Sequence, residues 1–304
     1  MDPIDFTTEA HFHHSAWIGT GRIFSYSLPP VVTDKKQELL TVPNPFLIQL
    51  PSSVTLVHEF IHHPLPLQSN SLSFYHTTEW FSTGVPQTNS GVLLTRPIPP
   101  KKVLKNLGAA VGQMWFDGAC SIVDPRFNTG TERFPLWTLS LWEKMQKMVE
   151  DQRQWKSSIN WLELIAHCQG VVEAKNLIKK LPWNKPLCSG GASTLQFAGF
   201  LGASWLSDVQ IDMMVGVLRG QMKTKKHAKG VLIEPLTFAW ELASVGNGWN
   251  DPLTSPYLSR LADEVPAGIT TIWFPVNVNG NHWVGGRVDF EDHTFAFGEF
   301  CRAW

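Results

Sequence analysis

No apolar run in the chain approaches the roughly eighteen residues that a membrane-spanning helix needs. The N-terminus, Met1-Asp2-Pro3-Ile4-Asp5-Phe6, is acidic and lacks the basic and apolar regions of a secretory leader. Charge is scarce as well: charged residues make up 17% of the 304, and the formal net charge is −1. That balance argues against a strongly electrostatic partner such as bulk nucleic acid or an anionic membrane. Cysteine is sparse. Cys120, Cys168, Cys188 and Cys301 are scattered, with the spacing of neither a zinc ribbon nor a redox pair. There is no internal repeat and no low-complexity tract. The expectation is a soluble nuclear or cytoplasmic protein without a cofactor or a resident metal.

What the chain does have is apolar material, 43% of its residues, which excludes wholesale disorder, and fourteen tryptophans. Residues 1–100 are rich in Pro, Ser, Thr and His, with short apolar runs at Pro45 to Leu50 and Ser53 to Val57 that read as strands between loops. Arg96-Pro-Ile-Pro-Pro100 reads as a boundary. From 101 to 184 the pattern is helical and tryptophan-rich: Leu104, Leu107, Val111 and Met114 recur at three- and four-residue steps, and Trp142, Met145, Met148, Trp155, Trp161, Leu162 and Ile165 sit among charges. Pro182-Trp-Asn-Lys-Pro186 closes that block, and residues 185–304 form the third.

Within the third block, Trp205-Leu-Ser-Asp-Val-Gln-Ile211 opens a helix. Ser207 and Gln210 have the spacing of a capping box, Asp208 and Asp212 lie near the positive helix end, and Ile211, Met214, Val215 and Leu218 form one apolar face. Taken alone, the segment reads as a helix start anchored in the core by Trp205. Further on, Ile269 to Phe274, Trp283 to Phe290 and His293 to Phe297 read as three strands of an antiparallel meander. Between the first two, Pro275 to Phe290 runs Pro-Val-Asn-Val-Asn-Gly-Asn-His-Trp-Val-Gly-Gly-Arg-Val-Asp-Phe, so His282-Trp283 opens a β-prone run that leads to a carboxylate, Asp289.

His282 follows Trp205 by 77 residues, and the two segments in this order and at this distance resemble the papain-like cysteine peptidases of the ubiquitin-like (deSUMOylating) protease family. The resemblance covers about 120 residues, from 185 to the end. It implies an α+β fold, the helix-plus-meander half of a papain-like domain preceded by the tryptophan-rich module. It implies a thiol hydrolase acting after a Gly-Gly tail, with a ubiquitin-like modifier or its conjugates as partner. By the same resemblance His282 is the catalytic base, and Trp205 and Trp283 are the walls of a tunnel for the tail, which Asp208 helps to hold. A flat indole passes a side-chain-free Gly-Gly strand and excludes bulkier residues.

Glu299, 17 residues after His282, falls where the family places the aspartate that orients the histidine, and glutamate must fit one extra methylene there. The family's oxyanion glutamine and nucleophilic cysteine come from a helix several tens of residues beyond the histidine, whereas 22 residues follow His282 here. Cys301 and Cys188 are both out of order for that role. The expectation is a chain without peptidase activity of its own, with a non-catalytic module for a ubiquitin-like tail as the alternative. A zinc peptidase is a third reading: His58-Glu59-Phe-Ile-His62 matches His-Glu-x-x-His, with Glu79 as a possible third ligand, although Pro64 and Pro66 crowd any helix there. Lys223 to Lys229, the basic cluster, reads as a solvated loop or a docking patch for an acidic modifier face.

Overall fold

The computed structural model describes residues 36–69, 76–87, 89–127, 132–187, 192–202, 205–224, 230–246, 255–264, 268–280 and 282–298. It is a mixed α+β structure in two compact units, residues 1–153 and 154–304. The division falls inside one long helix rather than at residues 100 and 184. That helix, with residues Thr138–Leu164, buries tryptophans in both of its halves, Trp142 and Trp155.

In the first unit, Pro100 in extended conformation precedes helix α1 (Lys101–Phe116), whose Leu104, Leu107 and Val111 are buried, as their spacing predicts. Helix α2 (Thr138–Leu164) adds Leu139, Trp142 and Met145 to the same core. Three two-residue strands, β1 (Phe81–Ser82), β2 (Ser121–Ile122) and β3 (Phe134–Pro135), form an antiparallel sheet in the order β1-β2-β3, interrupting the expected helical block. Trp80 meets Trp142 edge-on at 6.2 Å.

The two apolar runs read as strands near the N-terminus are instead helical turns, Asn44–Leu47 and Val57–Phe60. Proline in the first turn of the former favours that start, and a short run without alternation does not distinguish strand from helix. Gln152 of α2 donates to the carbonyls of Phe60 (2.6 Å) and His63 (2.9 Å) at the end of the second turn.

In the second unit, α2 continues with Trp155, whose indole donates to the Trp183 carbonyl at 3.1 Å. Helix α3 (Val171–Lys179), a short turn Gln196–Gly199, and helix α4 (Asp208–Thr224) follow. Strand β4 (Val231–Ile233), helices α5 (Leu236–Gly246) and α6 (Pro256–Glu264), and strands β5 (Thr271–Val278), β6 (His282–Asp289) and β7 (Thr294–Gly298) complete it.

The sheet order is β4-β5-β6-β7. The expected meander is β5-β6-β7, fully antiparallel. The β5–β6 turn carries Asn279 and Gly280, both at positive φ (56° and 70°), the backbone that Asn-Gly adopts readily. Strand β4 adds in parallel to β5, because α5 and α6 carry the chain across between them. Phe238 of α5 and Leu261 of α6 pack on Ile272 and Phe274 of β5.

Register defines the two faces of this sheet. Phe274 pairs with Gly286 and Gly286 with Phe297; Ile272 pairs with Val288 and Val288 with Phe295; Val278 pairs with His282. These residues share the face that α5 and α6 cover over β5. Over β7 that cover ends, leaving Phe295 60% and Phe297 70% exposed. Asn277, Trp283, Gly285 and Arg287 lie on the other face, where Arg287 stacks over Trp273 at 5.6 Å.

Candidate functional site

Helix α4 is tied at three points to the segment that runs from the end of β4 to the start of α5. The Asp212 carboxylate accepts from the Leu236 N–H at 2.9 Å, capping the start of α5. Arg219 donates to the Ile233 carbonyl and to the carboxylate of Glu234. Glu234 is fully buried, its N–H donates to the Trp273 carbonyl at 2.7 Å, and its carboxylate also takes Arg260 (3.3 Å) and the Tyr257 hydroxyl. Burial and then the hydrogen bond to Glu234 raise the Tyr257 phenol well above its ordinary pKa. This network places the N-terminus of α4, with the Trp205 segment before it, beside the start of β6.

There the two halves of the sequence pattern meet. The Trp205 and His282 rings lie edge to face, centroids 6.3 Å apart at 79°. The indole N–H of Trp283 donates to the Leu206 carbonyl at 2.9 Å. Because His282 and Trp283 point to opposite faces of the sheet, the Trp205-Leu206 segment wraps the end of β6, its ring toward the histidine face and its carbonyl toward the tryptophan face. Trp205 is 71% exposed, so it is not the core anchor that its segment alone suggested. His282 and Trp283 are half-buried and Asp208, the first residue of α4, is exposed.

The capping box is present in its reach-back half, with the Gln210 side chain accepting from the Ser207 N–H at 2.7 Å. The predicted apolar face of α4 is only partly covered. Val215 is buried, whereas Met214 and Leu218 are exposed. Helical spacing identifies a face without stating what packs on it.

Asp289 ends β6 away from His282. It accepts from the backbone N–H groups of Glu291 (3.0 Å) and Asp292 (3.1 Å), and from Arg287. The Asp292 amide first, then the Glu291 amide and the Arg287 charge, hold its carboxyl below the usual range. Asp289 organises the β6–β7 turn. Glu299, Cys188, Cys301 and most of the basic cluster lie outside the described residues.

The remaining candidates form no metal site. His58 and Glu59 lie on the single helical turn Val57–Phe60 and His62 just past it. His58, Glu59, His62 and Glu79 are all exposed, and Glu59 accepts from the Leu56 N–H at 3.3 Å. Among the described residues no group of three or more His, Cys, Asp or Glu could hold a metal ion, and no helix is long and apolar enough to cross a membrane.

Two further residues take part here. Gln210 grips the segment that carries Trp205, and Asn277 sits across the strand pair from Trp283 with a buried Oδ1 that has no hydrogen-bond partner among the described residues. The capping-box spacing pointed to the first, and the strand register alone places the second. Comparison of the chain with protein-family models, with curated proteins and with solved structures gives no match.

Proposed function

We propose that residues 185–304 are the histidine- and tail-binding half of a papain-like cysteine peptidase site of the ubiquitin-like protease type. The observation that carries this reading is the convergence of Trp205 and Leu206 on His282 and Trp283, at 6.3 Å between rings and 2.9 Å across the hydrogen bond. The family resemblance requires these residues to meet, and nothing in their separation along the chain does. Trp205 and Trp283 then flank the path of a Gly-Gly tail, with Asp208 at its entrance.

In this reading His282 takes the proton of a thiol nucleophile and returns it to the departing amine. Glu299 is the carboxylate assigned to orient the imidazole. The apolar face of β7, uncovered at Phe295 and Phe297 and shared with His282, suits the packing of a helix that presents the nucleophile. Neither described cysteine, Cys120 or Cys168, follows the histidine in the chain as that nucleophile does. Capture of the tail is therefore the activity to test. Calorimetric titration with a ubiquitin-like protein ending in Gly-Gly should show saturable binding that is lost when those two residues are removed. Equal binding of the full-length and truncated forms would sink the proposal.

A further inference from the structure

The carbonyl that receives Trp283 and the amide that receives Gln210 belong to one peptide unit, between Leu206 and Ser207. Its C=O accepts from the Trp283 indole at 2.9 Å, and its N–H donates to Gln210 Oε1 at 2.7 Å. The same side chain donates through Nε2 to the Gln196 carbonyl at 3.2 Å. The result is one chain of hydrogen bonds, from the indole through a planar peptide and an amide side chain to a second backbone carbonyl. Such chains polarise and orient their members cooperatively.

Gln210 is 4% exposed, so both its polar ends are committed to this chain rather than to water. Its side chain lies directly over Gly199, where a Cβ would come within 2.1 Å of Nε2. That contact fixes the amide against the Gln196–Gly199 turn. An ordinary helix start requires a polar group near Ser207 but neither a link to a second segment nor a neighbour without a side chain.

We infer that Gln210 is a positioning residue for the tail channel. By holding the N–H end of the Leu206–Ser207 peptide, it aims the opposite carbonyl at Trp283 and thereby sets Trp205 against His282. The functional part of this inference rests on the reading of the site as a tail channel, and the structural part does not.

The test uses the full chain with ¹⁵N-labelled indoles, the Trp283 signal being assigned by its loss in Trp283→Phe. In Gln210→Met, which keeps the side-chain length and removes both polar ends, hydrogen exchange of the Trp283 indole should accelerate by about threefold to tenfold, the equivalent of one lost hydrogen bond. Its chemical shift should move toward that of an unbonded indole, and affinity for a Gly-Gly-terminated peptide should fall with it. Gln210→Glu, which retains the acceptor for the Ser207 N–H, should keep exchange within about twofold of the parent, less than the loss of one bond.

A cooperatively melting Gln210→Met protein with an unchanged Trp283 indole overturns the inference. If Gln210→Met does not melt cooperatively, Gln210→Glu decides, and a fully exchanging Trp283 indole in that variant overturns it equally. Failure of the parent protein to bind the peptide removes the tail reading while leaving the indole result to judge the positioning.

Discussion

Trp205 stands edge to face with His282, ring centroids 6.3 Å apart, although 77 residues separate them in the chain and the tryptophan is 71% exposed. A large indole left in water beside a histidine at the mouth of a strand contributes little to the core. The Leu206 carbonyl next to it is held by the Trp283 indole, so the exposed ring is mounted on a fixed backbone.

Trp205→Ala should therefore separate binding from folding. Urea denaturation should show a stability change within about 0.5 kcal/mol, as for other exposed positions. Affinity for a Gly-Gly-ended modifier should fall at least about tenfold, the loss expected of an aromatic anchor. A large loss of stability would mean that Trp205 is structural after all.

Trp283→Phe removes one N–H while keeping an aromatic ring. It leaves the Leu206 carbonyl without its donor, and unfolding free energy should drop by about 1 kcal/mol. An unchanged denaturation midpoint would show that water replaces the indole at no cost.

The strands of this region were legible in the sequence because each rests on local pattern, whereas the meeting of Trp205 with His282, 77 residues apart, was implied by the family resemblance alone. His282-Trp283 is followed by a β-prone run, and Ser207 and Gln210 stand three residues apart at a helix start. Other features were not legible, because they depend on what packs where. The parallel pairing of β4 follows from the crossover through α5 and α6, which no single strand encodes. Met214 and Leu218 have the spacing of a buried face and lie exposed. Pro45 to Leu50 looks like a strand and begins with a helical turn, since its short apolar run carries no period. The unit boundary inside α2, between Trp142 and Trp155, leaves no mark in the helical pattern.

Glu234 anchors the scaffold behind the site. It is fully buried against Arg219, Arg260 and Tyr257, so Glu234→Ala strands two guanidinium groups that are themselves about a third to a half exposed. The loss should be near the lower end of that seen for broken buried pairs, about 3 kcal/mol, with Glu234→Gln costing less. Chemical denaturation of the two variants measures both values.

Tyr257 supplies an alkaline signature. Its phenol is raised by burial and by Glu234, so the folded state favours the protonated form. The stability this contributes is fully present below the unfolded tyrosine value, about 10, and is lost as pH rises through the higher folded value. Absorbance titration near the phenolate band should find one tyrosine ionising late and only with unfolding. Tyr257→Phe should abolish that late step. Titration of all three tyrosines together near the ordinary value would contradict the buried Glu234 network.

The most direct test of the tail channel is to observe its two walls while a tail enters. Indole resonances of Trp205 and Trp283 should be followed by NMR as a peptide ending in Gly-Gly is added, alongside the same peptide ending in Ala-Ala. Saturable shifts of both indoles are expected with Gly-Gly, little or none with Ala-Ala, and none at Trp283 when Trp205 is replaced by alanine. Equal shifts with both peptides, or none with either, would contradict the tail channel.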